Sequence, residues 1–475
     1  MHEKLRSSFS SLLGNKGFTD DAEVMAPWLT DWRGRYHGKA AAMLSPTSTE
    51  EVQAVVRLCS EHGVAIVPQG GNSGMVAGAT PDESGDAVLL SLRRMDAIAM
   101  DRIEEGLVLC EAGVILQNLH DALAEEGRRF PLTLGGKGSA TVGGLISTNA
   151  GGTQVLRHGT MRALVAGLEA VLPDGSVIDG TAALKKDNRG FDLQQLFMGS
   201  EGTLGIVTRA VLKTAPALID RCAAWIGVSS PHIAYRLLRF LEERSADRLE
   251  GFELIPHETA EATIAHLPGT RAPLTNPSAW YVLAEWVQDR ADQEPPRILA
   301  ERLLTEGAEQ GLVEDAVPSV SEAQAETFWR IRDSISEAER ALGPALQHDI
   351  SVPVAAMPDF IEHASARIEK DYPGTQAIAF GHLGDGNVHF HVRAPDGIEA
   401  EKWYRDDGET ISGSVYRMVV EAGGSISAEH GIGRAKREEL VRLTPPARLN
   451  MLAAVKRALD PKDIMNPGKI LLTAD

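Results

Sequence analysis

The stretch Val64-Ala65-Ile66-Val67-Pro68-Gln69-Gly70-Gly71-Asn72-Ser73-Gly74-Met75 decides how the first half of the chain is read. Val64 to Pro68 is a short apolar run, the pattern of a buried strand. It leads into a loop rich in glycine. Without a Cβ in the way, successive backbone N–H groups can close around an anion, and Asn72 and Ser73 add side-chain donors. The loop is neither a Walker A motif nor a G-x-G-x-x-G opening a helix, so P-loop and Rossmann sites are not supported. Just upstream, Ser45-Pro46-Thr47-Ser48-Thr49-Glu50-Glu51 is a helix-start signal before an apolar-periodic run to Cys59. A helix, a strand and a glycine loop in that order make a small α/β unit.

Downstream, a second glycine-rich stretch runs from Leu134-Gly135-Gly136-Lys137-Gly138-Ser139 through Gly143-Gly144 to Asn149-Ala150-Gly151-Gly152. Short apolar segments surround it: Ala87–Leu92, Leu107–Cys110 and Leu168–Leu172. The last meets the tight-turn sequence Pro173-Asp174-Gly175-Ser176 before Val177-Ile178. A mixed α+β domain with antiparallel strands is expected there, preceded by an N-terminal helical arm over residues 1–40. Composition shifts at Lys213-Thr214-Ala215-Pro216. Beyond it, helical segments (Ile233 to Arg244, Arg297 to Gln310) alternate with strands such as Trp280–Glu285, as in a second α+β domain. The end of the chain reads as a helix closing near Leu459, then an Asn466-Pro467-Gly468 turn. Expected boundaries are 1–217, 218–427 and a closing segment 428–475.

At 475 residues the chain exceeds the size at which one core stops growing. Its net charge of −19 argues against binding phosphate backbones or anionic lipid, so neither nucleic-acid nor membrane-surface binding is expected, with a partner at a membrane left open. An anionic substrate would then need a local basic site. The three cysteines, Cys59, Cys110 and Cys222, form no CxxC pair and suit a reducing compartment. No apolar run approaches the ~20 residues of a membrane helix, and Met1 to Gly14 lacks a signal-peptide core. The expectation is a cytoplasmic protein that is not integral to a membrane, with a homodimer left open.

Several long motifs carry a family resemblance. Lys186-Asp187-Asn188-Arg189-Gly190-Phe191-Asp192-Leu193 continues to Phe197-Met198-Gly199-Ser200-Glu201-Gly202-Thr203-Leu204-Gly205-Ile206-Val207-Thr208. Phe380-Gly381-His382-Leu383-Gly384-Asp385-Gly386-Asn387-Val388-His389 and Ser427-Ala428-Glu429-His430-Gly431-Ile432-Gly433 follow, then Leu459-Asp460-Pro461-Lys462 and Asn466-Pro467-Gly468-Lys469. Together with the glycine loops, the chain resembles the vanillyl-alcohol oxidase family, in its D-2-hydroxyglutarate and D-lactate dehydrogenase branch. The resemblance implies a two-part FAD-binding domain, a second α+β substrate domain, and a C-terminal segment returning to the first. FAD would lie across the first domain. Pro68, Gly70, Gly71, Asn72, Ser73, Gly74 and Met75 would hold its pyrophosphate. Gly135, Ser139, Gly143, Gly144, Asn149, Glu201, Gly202, Gly205, Ile206 and Asn466 would line it. Some relatives bond the flavin to a histidine of the first loop; Asn72 stands at that position, so non-covalent FAD is expected.

His382 and His389 flank a Gly-Asp-Gly turn able to fold two imidazoles toward one point. Two imidazoles and a carboxylate suit a divalent ion, Zn²⁺ first and Mn²⁺ second, with positions left for substrate. That Glu429 is the carboxylate is implied by the resemblance, as is the role of His430 as general base. The metal would hold the substrate's 2-hydroxyl and one carboxylate oxygen while the C2 hydride moves to flavin N5. Arg332 matches the family's carboxylate-binding arginine, with Arg330 a competitor, and Ser336 is expected one helical turn on. Electrons would pass to an electron-transfer flavoprotein or a quinone. Two substrate positions depart from the hydroxyglutarate pattern: Gln347 replaces the usual lysine, and His391 the usual asparagine. Alternatives are an oxidase using O₂, a metal-dependent hydrolase, which leaves the glycine loops unused, and a non-catalytic flavin module.

Overall fold

Ser48 caps the first announced helix. Its hydroxyl accepts the Glu51 N–H at 3.2 Å, the helix runs Thr49–His62, and Gly63 ends it in the left-handed region at φ 64°. The chain then enters the strand Ile66–Gln69, which lies parallel to Val88–Ser91, itself parallel to Ala42–Leu44. The edge strand Phe18–Thr19 adds antiparallel to this four-stranded sheet. The computed structural model describes residues 2–471.

The chain forms two compact units. The first holds the chain up to Gly152, Gly159–Pro216 and the segment from Glu429; the second holds Thr153–His158 and Ala217–Ala428. Besides the parallel sheet, the first unit contains an antiparallel sheet ordered Ile98–Ala99, Leu107–Glu111, Ile206–Lys213, Val165–Val171, Val177–Asp179. Val56, Ile66 and Leu90 share one apolar cluster with Val171, Ile206 and the C-terminal Ile464 and Met465. The returning segment is thus part of this core. It is also hydrogen-bonded to the parallel sheet, with Ile66 N on Ile464 O at 2.7 Å and Asn466 N on Ile66 O at 2.8 Å.

The second unit is one seven-stranded antiparallel sheet. Its order is Asp315–Pro318, Asp220–Val228, Trp280–Gln288, Leu249–Pro256, Gln376–His382, Asn387–Arg393, Ala345–Ser351. Its central strands are buried almost throughout rather than on alternate residues, because helices cover both faces. Ala223, Trp225, Ile255, Tyr281, Leu283, Ile378 and Phe380 on one face pack with Phe328, Ile331 and Ile335 of the helices Glu322–Asp333 and Ile335–Leu342. Alternation along a strand puts residues i and i+2 on one face. His382 therefore follows Ile378 and Phe380 on the helix-covered face, and Glu253 precedes Ile255 there.

One excursion has no signal in the sequence reading: the short helix Val155–His158 belongs to the second unit. Arg157 anchors it, donating to Glu250 at 3.1 Å and to Asp289 at 2.6 Å. Among the described residues no helix is long and apolar enough to cross a membrane.

Candidate functional site

The two glycine stretches, 60 residues apart in sequence, face each other in the first unit. A Cβ on Gly71 would lie 1.6 Å from the carbonyl oxygen of Ser139, and one on Gly70 would lie 2.0 Å from Thr141 Oγ1. Both approaches need glycine. Gly74, Gly135 and Gly138 have open space where a Cβ would stand. Thr141, which the sequence reading did not single out, heads the helix Val142–Thr148 that carries Gly143 and Gly144 in its first turn. Its buried Oγ1 has no hydrogen-bond partner among the described residues. An orphaned hydroxyl, a helix start and two facing glycine loops together make a polar cradle.

The other expected lining residues divide by what they touch. Pro68 lies in the strand Ile66–Gln69, and Met75 Sδ lies 3.5 Å from an Arg33 nitrogen. Asn72 has φ 53° and donates to Thr30 O at 2.8 Å. Ser73 is half-buried and Ser139 exposed. Asn149 ends its helix at φ 51°, and its side chain accepts from Thr160 Oγ1 at 3.1 Å and Arg162 N at 2.9 Å. Gly202 sits against Pro68, where a Cβ would come within 2.4 Å of Cγ. Gly205 lies against Val171 O, and the Ile206 side chain is part of the core.

Glu201 and Asn466 act as clamps. The buried Glu201 carboxylate accepts from Ile432 N at 2.7 Å and Gly433 N at 2.8 Å. Burial pushes its carboxyl up to about 7, against the pull of those two N–H groups. Asn466 donates to Glu201 O at 2.7 Å and Gly78 O at 2.8 Å, while its Oδ1 is buried without a partner among the described residues. The irregular segment holding Glu429 and His430 is thereby tied down just beyond His430.

In the second unit the strand Gln376–His382 turns through Leu383–Gly386 into Asn387–Arg393. The turn is held by Gly386 N on His382 O at 3.0 Å and by Asn387 N on Asp385 Oδ1 at 2.9 Å. It brings the rings of His382 and His389 to 5.5 Å between centroids. Their Nε2 atoms lie 3.2 and 3.5 Å from one nitrogen of Arg332, so both point at a common place. His382 Nδ1 meets Glu253 Oε1 at 2.5 Å, and Arg332 Nε donates to Glu253 Oε2 at 2.8 Å. A carboxylate on Nδ1 places the proton there and leaves Nε2 with its lone pair, the usual arrangement behind a metal-ligating histidine. Burial would raise the Glu253 carboxyl, but Arg332 and His382 outweigh it and hold it at about 2. Desolvation, then Arg332 and His382, push the His389 imidazole well below its ordinary value, which keeps it neutral.

Asp349 stands opposite His389 in register and accepts from Asn387 Nδ2 at 2.9 Å. Gln347 stands opposite His391, whose Nδ1 is bound to the Glu339 carboxylate. The structure separates the two arginines: Arg330 donates to Thr270 at 2.7 Å, away from the histidines. It also corrects the expectation for Ser336. The helix of Arg332 ends at Asp333, and Ser336 lies in the first turn of a second helix, Ile335–Leu342, after the Ser334 cap. Glu253, Asp349, Glu339 and Thr141 are the polar residues that the sequence reading missed. Glu253, Asp349 and Glu339 have no local motif to mark them, whereas Thr141 lies inside the second glycine stretch between Ser139 and Gly143.

Residues 40–181 match the family described as FAD binding domain, and residues 220–470 the family described as FAD linked oxidases, C-terminal domain. The mitochondrial D-2-hydroxyglutarate dehydrogenase of Arabidopsis thaliana is 36% identical over 466 residues, covering 98% of this chain and 81% of its own. The Bos taurus enzyme of the same name is 35% identical over 453 residues, covering 95% and 81%. Crystalline p-cresol methylhydroxylase shares the fold, with TM-score 0.75 at 17% identity, covering 99% of this chain and 97% of its own. The mitochondrial relatives point away from the expected cytoplasmic location. The three cysteines are buried free thiols; they fit any reducing compartment and do not single out the cytoplasm.

Proposed function

The chain belongs to the FAD-linked oxidase family, in the branch of D-2-hydroxy acid dehydrogenases, and from that premise we propose that it oxidises a D-2-hydroxy acid to the 2-oxo acid with the help of one divalent cation. The observation that carries the metal is the pair of imidazoles turning Nε2 to one place, with His382 braced by Glu253. Glu429 completes the ligand set in this reading, on the strength of the family motif. Zn²⁺ suits two nitrogens and a carboxylate, with Mn²⁺ the alternative.

FAD, when bound, supplies the two-electron acceptor for the hydride leaving C2. The cation supplies Lewis acidity toward the 2-hydroxyl. The chain does the rest. Arg332, stiffened by Glu253, grips the substrate's C1 carboxylate with its planar fork. His430 takes the hydroxyl proton, on a segment that Glu201 holds through Ile432 and Gly433. Residues 1–217 and 428–475 hold the flavin, and 218–427 hold the substrate and, with Glu429, the metal. The glycine loops fit FAD because their mutual approach leaves no room for a Cβ, and Thr141 Oγ1 in the second stretch and the acceptor Asn466 Oδ1 of the C-terminal segment remain open.

Asn72 has no nucleophilic ring nitrogen, so the flavin is held through this loop without a covalent bond. Acid precipitation is expected to leave the yellow colour in the supernatant; colour retained in the pellet would refute this. Electrons leave for an external carrier, an electron-transfer flavoprotein or a quinone, in keeping with the dehydrogenase names of the relatives. The function itself is tested by anaerobic mixing with paired D- and L-2-hydroxy acids while flavin absorbance is followed. Bleaching by D-acids is expected, with loss of that bleaching after chelation. A flavin indifferent to every 2-hydroxy acid would end the proposal.

A further inference from the structure

His391 lies two residues beyond His389 on the same strand, and so on the same sheet face. Its partner was not foreseen. Glu339 sits three residues after Ser336 on the helix Ile335–Leu342, which puts both on one helical face. The Glu339 side chain is 6% exposed and holds Nδ1 of the 5% exposed His391. The other carboxylate oxygen, Oε1, is buried with no hydrogen-bond partner among the described residues. Gln347 is the cross-strand neighbour of His391, and Phe380 closes one side with its ring edge-on at 5.2 Å.

We propose that Glu339, His391 and Gln347 form the pocket that reads the far end of the substrate. It takes a hydrogen-bond donor there, a hydroxyl or an ammonium, and refuses a second carboxylate. The proposal rests on the hydroxy acid oxidation above and names its substrate class. Arg332 serves the C1 carboxylate at one end of this face. At the other end a neutral amide, Gln347, holds the place where the resemblance implies a lysine, and the buried acid Glu339 holds His391 beside it. A second carboxylate would meet an acid oxygen that has no donor of its own, which is unfavourable for both charges. A hydroxyl or ammonium would satisfy that same oxygen. Sites built around a hydrogen bond discriminate strongly against analogues that cannot make it.

The test compares three substrates on the flavin-loaded protein: D-lactate, D-2-hydroxyglutarate and D-2,5-dihydroxypentanoate, which replaces the far carboxylate by a hydroxyl at matched length. The wild type is expected to favour the dihydroxy acid over the diacid by at least about tenfold in kcat/KM, mainly through KM. Glu339→Leu, with the near-isosteric Glu339→Gln as a second variant should the first not fold, is expected to erase that ratio. Glu339→Leu combined with Gln347→Lys is expected to reverse it. A wild type that prefers the diacid, or a ratio unmoved in a Glu339→Gln protein that still bleaches, overturns the pocket assignment alone. If no 2-hydroxy acid bleaches the flavin, the oxidation itself is wrong and the pocket assignment falls with it.

Discussion

Alanine at His382 or His389 is expected to lower kcat for hydroxy-acid-driven flavin reduction by about a thousandfold or more, while the protein keeps its flavin spectrum. Ile378 and Phe380 bury one face of the strand that ends in His382, and the Gly-Asp-Gly turn returns the chain so that His389 stands on the same face. Both rings stand against that core, so each variant would delete a ligand of the proposed cation. Lewis-acid stabilisation of a developing oxygen charge contributes several kcal/mol, and each 1.36 kcal/mol is a factor of ten. Flavin retention is expected because the facing glycine loops lie in the other unit. Glu253→Gln gives a graded control. It leaves both imidazoles but weakens the brace on His382, and a loss of about 10–100-fold in metal affinity is expected, recoverable with added metal. Full activity in His382→Ala would remove the metal from the account.

His430→Asn is the second large effect, a fall of about 10²–10⁴ in kcat with metal content and flavin spectrum unchanged. The residue sits on an irregular stretch whose anchor lies next to it: Glu201 accepts the N–H groups of Ile432 and Gly433. Asparagine keeps the polarity and approximate size of the side chain and removes its capacity to take a proton. Added imidazole is expected to restore part of the rate, an effect that a purely structural role would not show. A variant with unaltered kcat would transfer the base to another residue.

Much of the fold could be read in the sequence because its signals are local. Ser48 and Gly63 mark both ends of one helix, and the Pro173-Asp174-Gly175-Ser176 turn joins two strands that do pair. The excursion of Val155–His158 into the second unit was not legible, since it depends on Arg157 finding Glu250 and Asp289, about 90 and 130 residues further along the chain. The same distinction governs the site. His382 and His389 share one motif, and the structure brings their rings together. Glu253 is 129 residues from His382 in sequence, one of two acids in the run Leu249–Pro256, with nothing in its neighbours to announce a partner. Arg330 and Arg332 are equivalent as text, but two residues on a helix point about 200° apart, and only Arg332 reaches the histidines. Glu339 escaped for a similar reason: it is the partner of His391, 52 residues further along the chain, and nothing local pairs the two.

The most direct measurement is X-ray absorption at the metal edge of the purified flavoprotein, set beside the His382→Ala and His389→Ala variants. The account predicts one divalent metal per chain with two imidazole nitrogens at about 2.0–2.1 Å if the ion is zinc, and loss of that signal in both variants. Absence of stoichiometric metal from active protein, or a spectrum the two substitutions leave unchanged, would contradict it.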